Sequence, residues 1–397
     1  MGRPRILISA GEMSGDLHAS NLIRAIRRRA PDADIVGLGG RRMEAAGATL
    51  FANTVDLGII GFLPLFGALP RYLDLLSRVD RLVAAWRPDV VVTIDNPGFH
   101  FLLASRFRAR RIPLLWYIPP QLWAWAPWRV RKLRRRFTHV ACVLPVEEQF
   151  FRRHGVAATF VGHPVVDHLR GLALDDAFMR GLRSAPDERV VAILPGSRRQ
   201  EVAPILRRQL IIARALAERC PRCSFVMALA AEEHRDWAAP EIAASGLAVR
   251  TVVGKTHEMQ QAADLALAKS GTTALELLFY GTPMAVFYNV SWAEWNLAGR
   301  WLINRPFQDL LCLPNALAGR RVVPEYMHDA PPTPAEIDEI AGLLLDDERR
   351  RDMKAALAEV RRPIDVAGAA DHAAGLALDL AGSPVAKPPA WRPGFAM

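Results

Sequence analysis

An α/β fold of two successive lobes, each a parallel sheet covered by helices, is predicted by three features of this sequence. Short aliphatic and β-branched runs alternate with helix-period segments over most of the 397 residues. The runs are continuously apolar, as strands buried on both faces must be, rather than alternating. The pattern also starts twice, near residue 5 and again near residue 189.

Taken in order, RILIS, DIVGLG, DVVVTID, IPLLWYI, HVACVLP and ATFVG read as strands of the first half. RVVAILP, SFVMALA, AVRTVV, LALAKS and MAVFYNV repeat the pattern in the second. The polar stretch 165–189 follows a Gly-His-Pro and marks the joint, which places the lobes at 1–168 and 169–340. Residues 332–362 carry a helical pattern, with Thr333 as N-cap and Glu336 three positions on, the signature of a capping box. A helical segment over 341–380 is expected to return to the first lobe. The Pro-rich end, 381–397, reads as disordered. The expected architecture is two Rossmann-like lobes whose sheets face a cleft.

Composition narrows the class. Apolar residues make up 51% and charged residues 23%, which suits a chain with a large core and excludes a disordered one. Cys220 and Cys223 form a C-x-x-C, but no second pair or His cluster completes a zinc site, so the four cysteines read as reduced thiols. A net charge of +10 suits an anionic partner: nucleic acid, a membrane face or a phosphorylated substrate. MGRPRILISA runs straight into a strand, which reads as no signal peptide, and LGIIGFLPLFGAL (57–69) is too short to cross a bilayer. A cytosolic protein is expected.

In open parallel sheets ligands sit beyond the carboxyl ends of the strands, so the loops that follow strands carry the chemistry. The first, AGEMSGD (10–16), is Gly-rich yet matches neither dinucleotide nor Walker patterns. Its acids Glu12 and Asp16 would repel phosphate. Beside the backbone amides around Gly15 they would suit sugar hydroxyls, while Ser14 or Asp16 could equally cap the helix whose apolar stripe is Leu17, Leu22, Ile23 and Ile26. A second loop, Pro-Gly-Ser-Arg-Arg, puts Gly196, Ser197, Arg198 and Arg199 at a helix start. Cations there oppose the helix dipole unless an anion binds, so Arg198 is a phosphate candidate. A third offers Ser270, Gly271, Thr272 and Thr273, followed by Glu276 in a nearly apolar helix. That carboxylate needs donors, from ribose hydroxyls or a buried Arg. These two loops describe a nucleoside-diphosphate pocket. In DVVVTIDNPGFHF, Asp95 ends a central strand and can act as general base or cap the next turn.

Two surfaces remain. QLWAWAPWRVRKLRRR (121–136) sets Trp123, Trp125 and Trp128 beside six basic residues, among them Arg129 and Arg131. Such a face suits a membrane interface or nucleic-acid stacking, or is simply solvated. The apolar segment 57–76, with Ile60, Phe62, Leu63, Leu65 and Phe66, could accompany it on a lipid surface or be core.

Seven short motifs in order resemble the lipid-A-disaccharide synthase family over roughly residues 5–375. They are Ala-Gly-Glu-x-Ser-Gly-Asp (10–16), Ile-Asp-x-Pro (94–97), Pro-x-x-Trp-Ala-Trp (120–125), Gly-His-Pro (162–164), Leu-Pro-Gly-Ser-Arg (194–198), Ser-Gly-Thr-x-Ala-Leu-Glu (270–276) and Leu-Pro-Asn-x-Leu-Ala-Gly (313–319). The resemblance implies a GT-B inverting glycosyltransferase. It would move 2,3-diacylglucosamine from its UDP derivative to the 6-hydroxyl of 2,3-diacylglucosamine 1-phosphate, forming a β-1,6 disaccharide and UDP. It implies no cofactor, no metal at the diphosphate, and a place at the inner face of the cytoplasmic membrane; a homodimer is admitted and a nucleic-acid partner is not. Asp95 matches the proposed base. Ser14, Arg198 and Asn315 match positions used for binding and catalysis, and Glu276 lies in the donor motif. Departures bear on the acceptor: Gly98 and His100 stand where the family has Asp and Asn, and Pro64 where it has Glu. The competing readings are a UDP-sugar 2-epimerase or other GT-B enzyme, and a basic nucleic-acid binder using 129–136.

Overall fold

The computed structural model describes residues 3–55, 65–108, 110–196, 199–229, 231–290, 295–328 and 330–382. Two compact units result: Met1–Asp167 together with the chain from Val366 onward, and His168–Asp365.

The first unit contains β1 (Arg5–Ala10), α1 (Met13–Arg29), β2 (Asp34–Gly39), α2 (Arg41–Ala45), β3 (Thr49–Asn53), α3 (Leu65–Trp86), β4 (Val90–Ile94) and α4 (Pro97–Arg108). It continues with β5 (Leu114–Tyr117), α5 (Val130–Arg136), β6 (His139–Cys142), α6 (Pro145–Arg153) and β7 (Ala158–Phe160). Its sheet runs β3-β2-β1-β4-β5-β6-β7, and every pair is parallel. Strand residues Leu7, Val91 and Trp116 pack with Phe101, Phe107 and Phe151 from the helices in one buried cluster. Each such side chain contributes about 1.5–3 kcal/mol by leaving water.

Helix α7 (Pro164–Arg170) spans the boundary, and the second unit contains α8 (Asp176–Arg180), β8 (Arg189–Leu194), α9 (Arg199–Arg219), β9 (Cys223–Leu229), α10 (His234–Ser245), β10 (Val249–Val253), α11 (Thr256–Ala262) and β11 (Leu265–Lys269). After them come α12 (Thr272–Tyr280), β12 (Met284–Val290) and β13 (Glu325–His328). The order β10-β9-β8-β11-β12-β13 is again wholly parallel. All eleven expected strands form, so the two-lobed α/β architecture stands. The two strands that the sequence pattern does not announce, β3 and β13, are edge strands. Edges need no continuous apolar run, and β3 is nowhere fully buried.

The pattern over 332–362 is two helices rather than one. Pro334–Leu345 begins at the expected capping box, with the Glu336 amide donating to Thr333 Oγ1 at 3.3 Å and the Thr333 amide to Glu336 at 2.9 Å. Asp346 then ends it and caps Asp347–Arg361 by accepting from the amides of Glu348 and Arg349. Glu336 also accepts from the buried Arg208 of α9, whose guanidinium lies over Phe287 and Tyr326. These two helices stay with the second unit. One helix alone, Ala369–Gly382, belongs to the first, where Asp167 accepts from the Gly368 and Ala369 amides at its start. The cysteines are all free. Of the expected disordered tail, 381–397, residues 381 and 382 instead close the helix Ala369–Gly382, and those from 383 on lie outside the described residues.

Glu147 is the least conventional core residue. It is fully buried and accepts from the amides of Val143 and Leu144 at 3.0 and 3.2 Å, with the Trp123 indole beside it. Burial raises its carboxyl to about 8 against the pull of those donors. The folded chain thus keeps a proton that the unfolded chain releases near 4.5. Stability from this group is complete below the unfolded value and is lost as pH climbs through about 8. The thermal midpoint should therefore decline between pH 5 and 9, and Glu147→Gln should flatten that decline. Parallel curves for the two proteins would contradict this.

Candidate active site

In the first sheet the strand order reverses between β1 and β4, the switch point at which open parallel sheets leave a crevice. Register pairs Ala10 with Ile94, so the loops 11–12 and 95–96 leave the sheet at one level. They touch. A Cβ on Gly11 would sit 2.0 Å from the Asn96 side-chain nitrogen, so no larger residue fits there. Glu12 occupies the N-cap position of α1 in an extended conformation, Gly15 is buried and Ser14 is exposed on the first turn.

Asp16 does something the sequence does not suggest. Its buried carboxylate accepts from the amides of Gly40, Arg42 and Met43 at 2.9, 3.1 and 3.2 Å. It therefore neither lines a sugar pocket nor caps its own helix; it caps α2. Three amides at a helix start form an anion receptor, and here the chain fills the receptor itself. A Cβ on Gly40 would meet this carboxylate at 2.6 Å, which explains the glycine. Leu17 is likewise exposed rather than part of the apolar stripe, which Ala19, Leu22, Ile23 and Ile26 form.

Asp95 and Asn96 close β4 with φ of 54° and 40°, both left-handed without being glycine. Each such residue costs about 1–2 kcal/mol, least for Asp and Asn. Asn96 caps α4 by accepting from the Phe99 amide at 3.3 Å. Burial raises the Asp95 carboxyl above its ordinary value, a bond to the Asn96 backbone opposing it. His100, expected on the acceptor side, is fully buried beneath this turn. Its Nδ1 lies 2.7 Å from the Asp95 carbonyl and its Nε2 3.0 Å from Ser9 Oγ. Burial lowers it to about 4, so the ring is neutral at working pH. Gly98 is exposed on the first turn of α4.

The second sheet reverses between β8 and β11, where Leu194 pairs with Ala268. Gly196 has φ 104°, and a Cβ there would meet the Lys269 side chain at 2.8 Å. Ser197 and Arg198 lie outside the described residues. Lys269 is a cation at this switch point that the motif reading passes over; its position directly before Ser-Gly-Thr-Thr was the available signal. Ser270 donates its amide to the Phe287 carbonyl at 2.9 Å. Gly271 has φ 134° and stands with Thr272 exposed at the start of α12, Thr273 half-buried behind. Glu276 accepts from Gln260 Nε2 at 2.7 Å, so its donor in this structure is an amide, not an Arg. Asn315 is fully buried. Its Oδ1 accepts from Val322 and Val323 and its Nδ2 donates to the Val323 carbonyl, so its described contacts all serve a local loop.

The tryptophan-rich segment divides. Trp123 is buried, a correction to its placement on the membrane face; its indole lies beside Glu147. Trp125 and Trp128 remain 43% and 55% exposed beside an exposed Arg131. Arg129 lies 5.0 Å from the Phe101 ring. Ile60, Phe62 and Leu63 lie outside the described residues, while Leu65 and Phe66 fall in the first turn of α3. Among the described residues no helix is long and apolar enough to cross a membrane, and no group of three or more His, Cys, Asp or Glu could hold a metal ion.

Two parallel sheets, each with a Gly-bearing switch-point loop, define the GT-B class. MurG of Acinetobacter baumannii superposes with a TM-score of 0.57 at 11% identity, covering 95% of this chain and 99% of that one. A UDP-GlcNAc 2-epimerase from Neisseria meningitidis gives 0.59 at 13%, covering 95% and 99%. Sequence is more specific. The family model described as lipid-A-disaccharide synthetase matches residues 6–368. The lipid-A-disaccharide synthase of Solibacter usitatus is 34% identical over 385 residues, 94% of this chain and 97% of that one. That of Myxococcus xanthus is 35% identical over 378 residues, 95% and 97% respectively. The chain belongs to the lipid-A-disaccharide synthase family and is a glycosyltransferase.

The Asp16 geometry carries a test. Asp16→Asn should lose about 2–4 kcal/mol of stability, because an amide nitrogen would face backbone donors. Ser14→Ala, at an exposed site, should stay within about 0.5 kcal/mol. Urea unfolding of both decides it; equal midpoints would show that Asp16 is not holding α2.

Proposed function

We propose that the chain transfers 2,3-diacylglucosamine from its UDP derivative to the 6-hydroxyl of 2,3-diacylglucosamine 1-phosphate, with Asp95 as the base. The observation that carries this reading is a desolvated carboxylate held in a left-handed turn at the first switch point. A UDP-sugar donor is supported by family membership and by the second unit's Gly196 and Ser270–Thr273 loops. Asp95 takes the acceptor hydroxyl proton, and the oxygen attacks the donor's anomeric carbon opposite UDP. The bond to UDP breaks as the new bond forms, with inversion. Arg198 and the loop amides meet the diphosphate charge without a metal or cofactor. Ser14 and Glu12, at the same switch point as Asp95, face sugar hydroxyls.

Purified protein given both substrates should form disaccharide and UDP. Asp95→Asn should lower kcat by about 10²–10⁴, the range general-base catalysis supplies, and donor affinity should persist. Because burial raises the Asp95 carboxyl, the acid limb of the rate profile should lie above the ordinary carboxylate range and vanish in the variant. UDP release without disaccharide would refute the assignment.

The same reading places Trp125, Trp128 and Arg131 on the anionic inner face of the membrane, where the lipid substrates reside. Exposed indoles beside guanidinium groups suit that interface. Trp125→Ala with Trp128→Ala should reduce flotation with phosphatidylglycerol vesicles at least fivefold, leaving the thermal midpoint unchanged. Undiminished flotation would exclude this face.

A further inference from the structure

We propose that His100 is a positioning residue for Asp95: its ring fixes the left-handed turn that presents the carboxylate, gripping Asp95 from one nitrogen and β1 from the other. The inference rests on Asp95 being the base.

Two successive left-handed residues without glycine do not persist unless their surroundings over-determine them. Here His100 supplies restraint to both peptides of the turn. Its ring meets the Asp95 carbonyl at 2.7 Å, and its own amide donates to the Asn96 carbonyl at 3.1 Å. A carbonyl has no proton to give, so Nδ1 must carry one. Nε2 is then an acceptor, and the Ser9 hydroxyl donates to it at 3.0 Å. Ser9 is buried in β1, so the imidazole links the central strand to the loop of its neighbour. The Trp116 ring meets the imidazole edge-on at 6.3 Å between centroids. The Asp95 amide is held less closely, at 3.3 Å from the Tyr117 carbonyl. Among the described contacts, the ring is thus the tightest hold on the backbone of the base. A misplacement of about 1 Å in a reacting group costs on the order of 10²-fold in rate.

Side-chain geometry separates the two nitrogens. In Asn the Nδ2 donor reaches the place of Nδ1; in Gln the amide reaches the place of Nε2; Leu reaches neither with a polar atom. Steady-state kinetics with both substrates and thermal melts should be run on the wild type, His100→Asn, His100→Gln and His100→Leu. The expected result is a kcat loss of about 10–100-fold for Leu and Gln, with the donor KM within twofold, and a loss of no more than about fivefold for Asn. Rescue by Asn against failure of Gln is the signature, because general loss of packing would not order them so. Wild-type kcat in a folded His100→Leu, or kcat falling across the three only in step with the thermal midpoint, would overturn the proposal. A second measurement needs no activity. ¹⁵N shifts of the His100 ring should report a neutral, Nδ1-protonated tautomer from pH 5 to 9; an Nε2-protonated ring would overturn the proposal. Absence of disaccharide with the wild type would instead remove the reading of Asp95 as base, a different outcome from equal kcat in wild type and Leu variant.

Discussion

Parallel pairing is the constraint from which both candidate half-sites follow. When every strand of a sheet points the same way, all the connections into helices emerge along one edge. Where the strand order reverses, the two flanking connections turn away from each other and leave room. This chain meets that condition twice with the same order, around β1 and β4 and again around β8 and β11. The chemistry assigned to each position differs. The first carries Glu12, Ser14 and Asp95; the second carries Gly196, Lys269 and the hydroxyls of Ser270 and Thr272. Each also has a glycine with its own reason: Gly11 closely faces the Asn96 side chain, and Gly196 takes a φ of 104°. Close approach of two loops, rather than a phosphate grip, explains Gly11.

Elsewhere in both units, helix starts and loops are tied by side chains that accept from backbone amides. Asp16 fills the amides of α2, Asp167 those of the terminal helix, Asn315 those of its own loop, and Glu147 those before α6. In a medium of low dielectric each such bond is strong when made and expensive when broken. A loop tied in this way has few alternative conformations. That property is useful beside a reacting centre, whose groups must be held within about 0.5 Å of the productive geometry.

The division between what the sequence announced and what it hid follows burial. Strands buried on both faces must be apolar throughout, so the nine interior strands were legible; of the four edge strands, on which no such rule acts, β7 and β10 were still apolar enough to read and β3 and β13 were not. The Thr333–Glu336 box was legible because both partners lie within one turn. Asp16 was not, because its partners Gly40, Arg42 and Met43 lie 24–27 residues away and only the folded sheet brings them to it. Trp123 was misplaced for a related reason. Beside Trp125 and Trp128 it looks like one aromatic cluster, and nothing local marks it as the member that the folded core covers. The Asp95 position was legible as the end of a central strand; its left-handed turn and the ring beneath it were not.

That misplacement makes better sense of the surface than a uniform tryptophan face would. Residues 121–136 alternate between anchors and exposed groups: Leu122, Trp123, Val130 and Leu133 are buried, while Trp125, Trp128, Arg131 and Arg135 face solvent. A segment pinned at four points loses little freedom when its exposed side chains meet a partner, and ordering entropy is a main cost of binding. Arg129 and Lys132 sit over the Phe101 ring, and burial lowers both below their ordinary values. They remain cations, and the Phe101 ring fixes where their charge is presented. The buried tryptophan is therefore what makes its exposed neighbours a rigid platform instead of a loose patch.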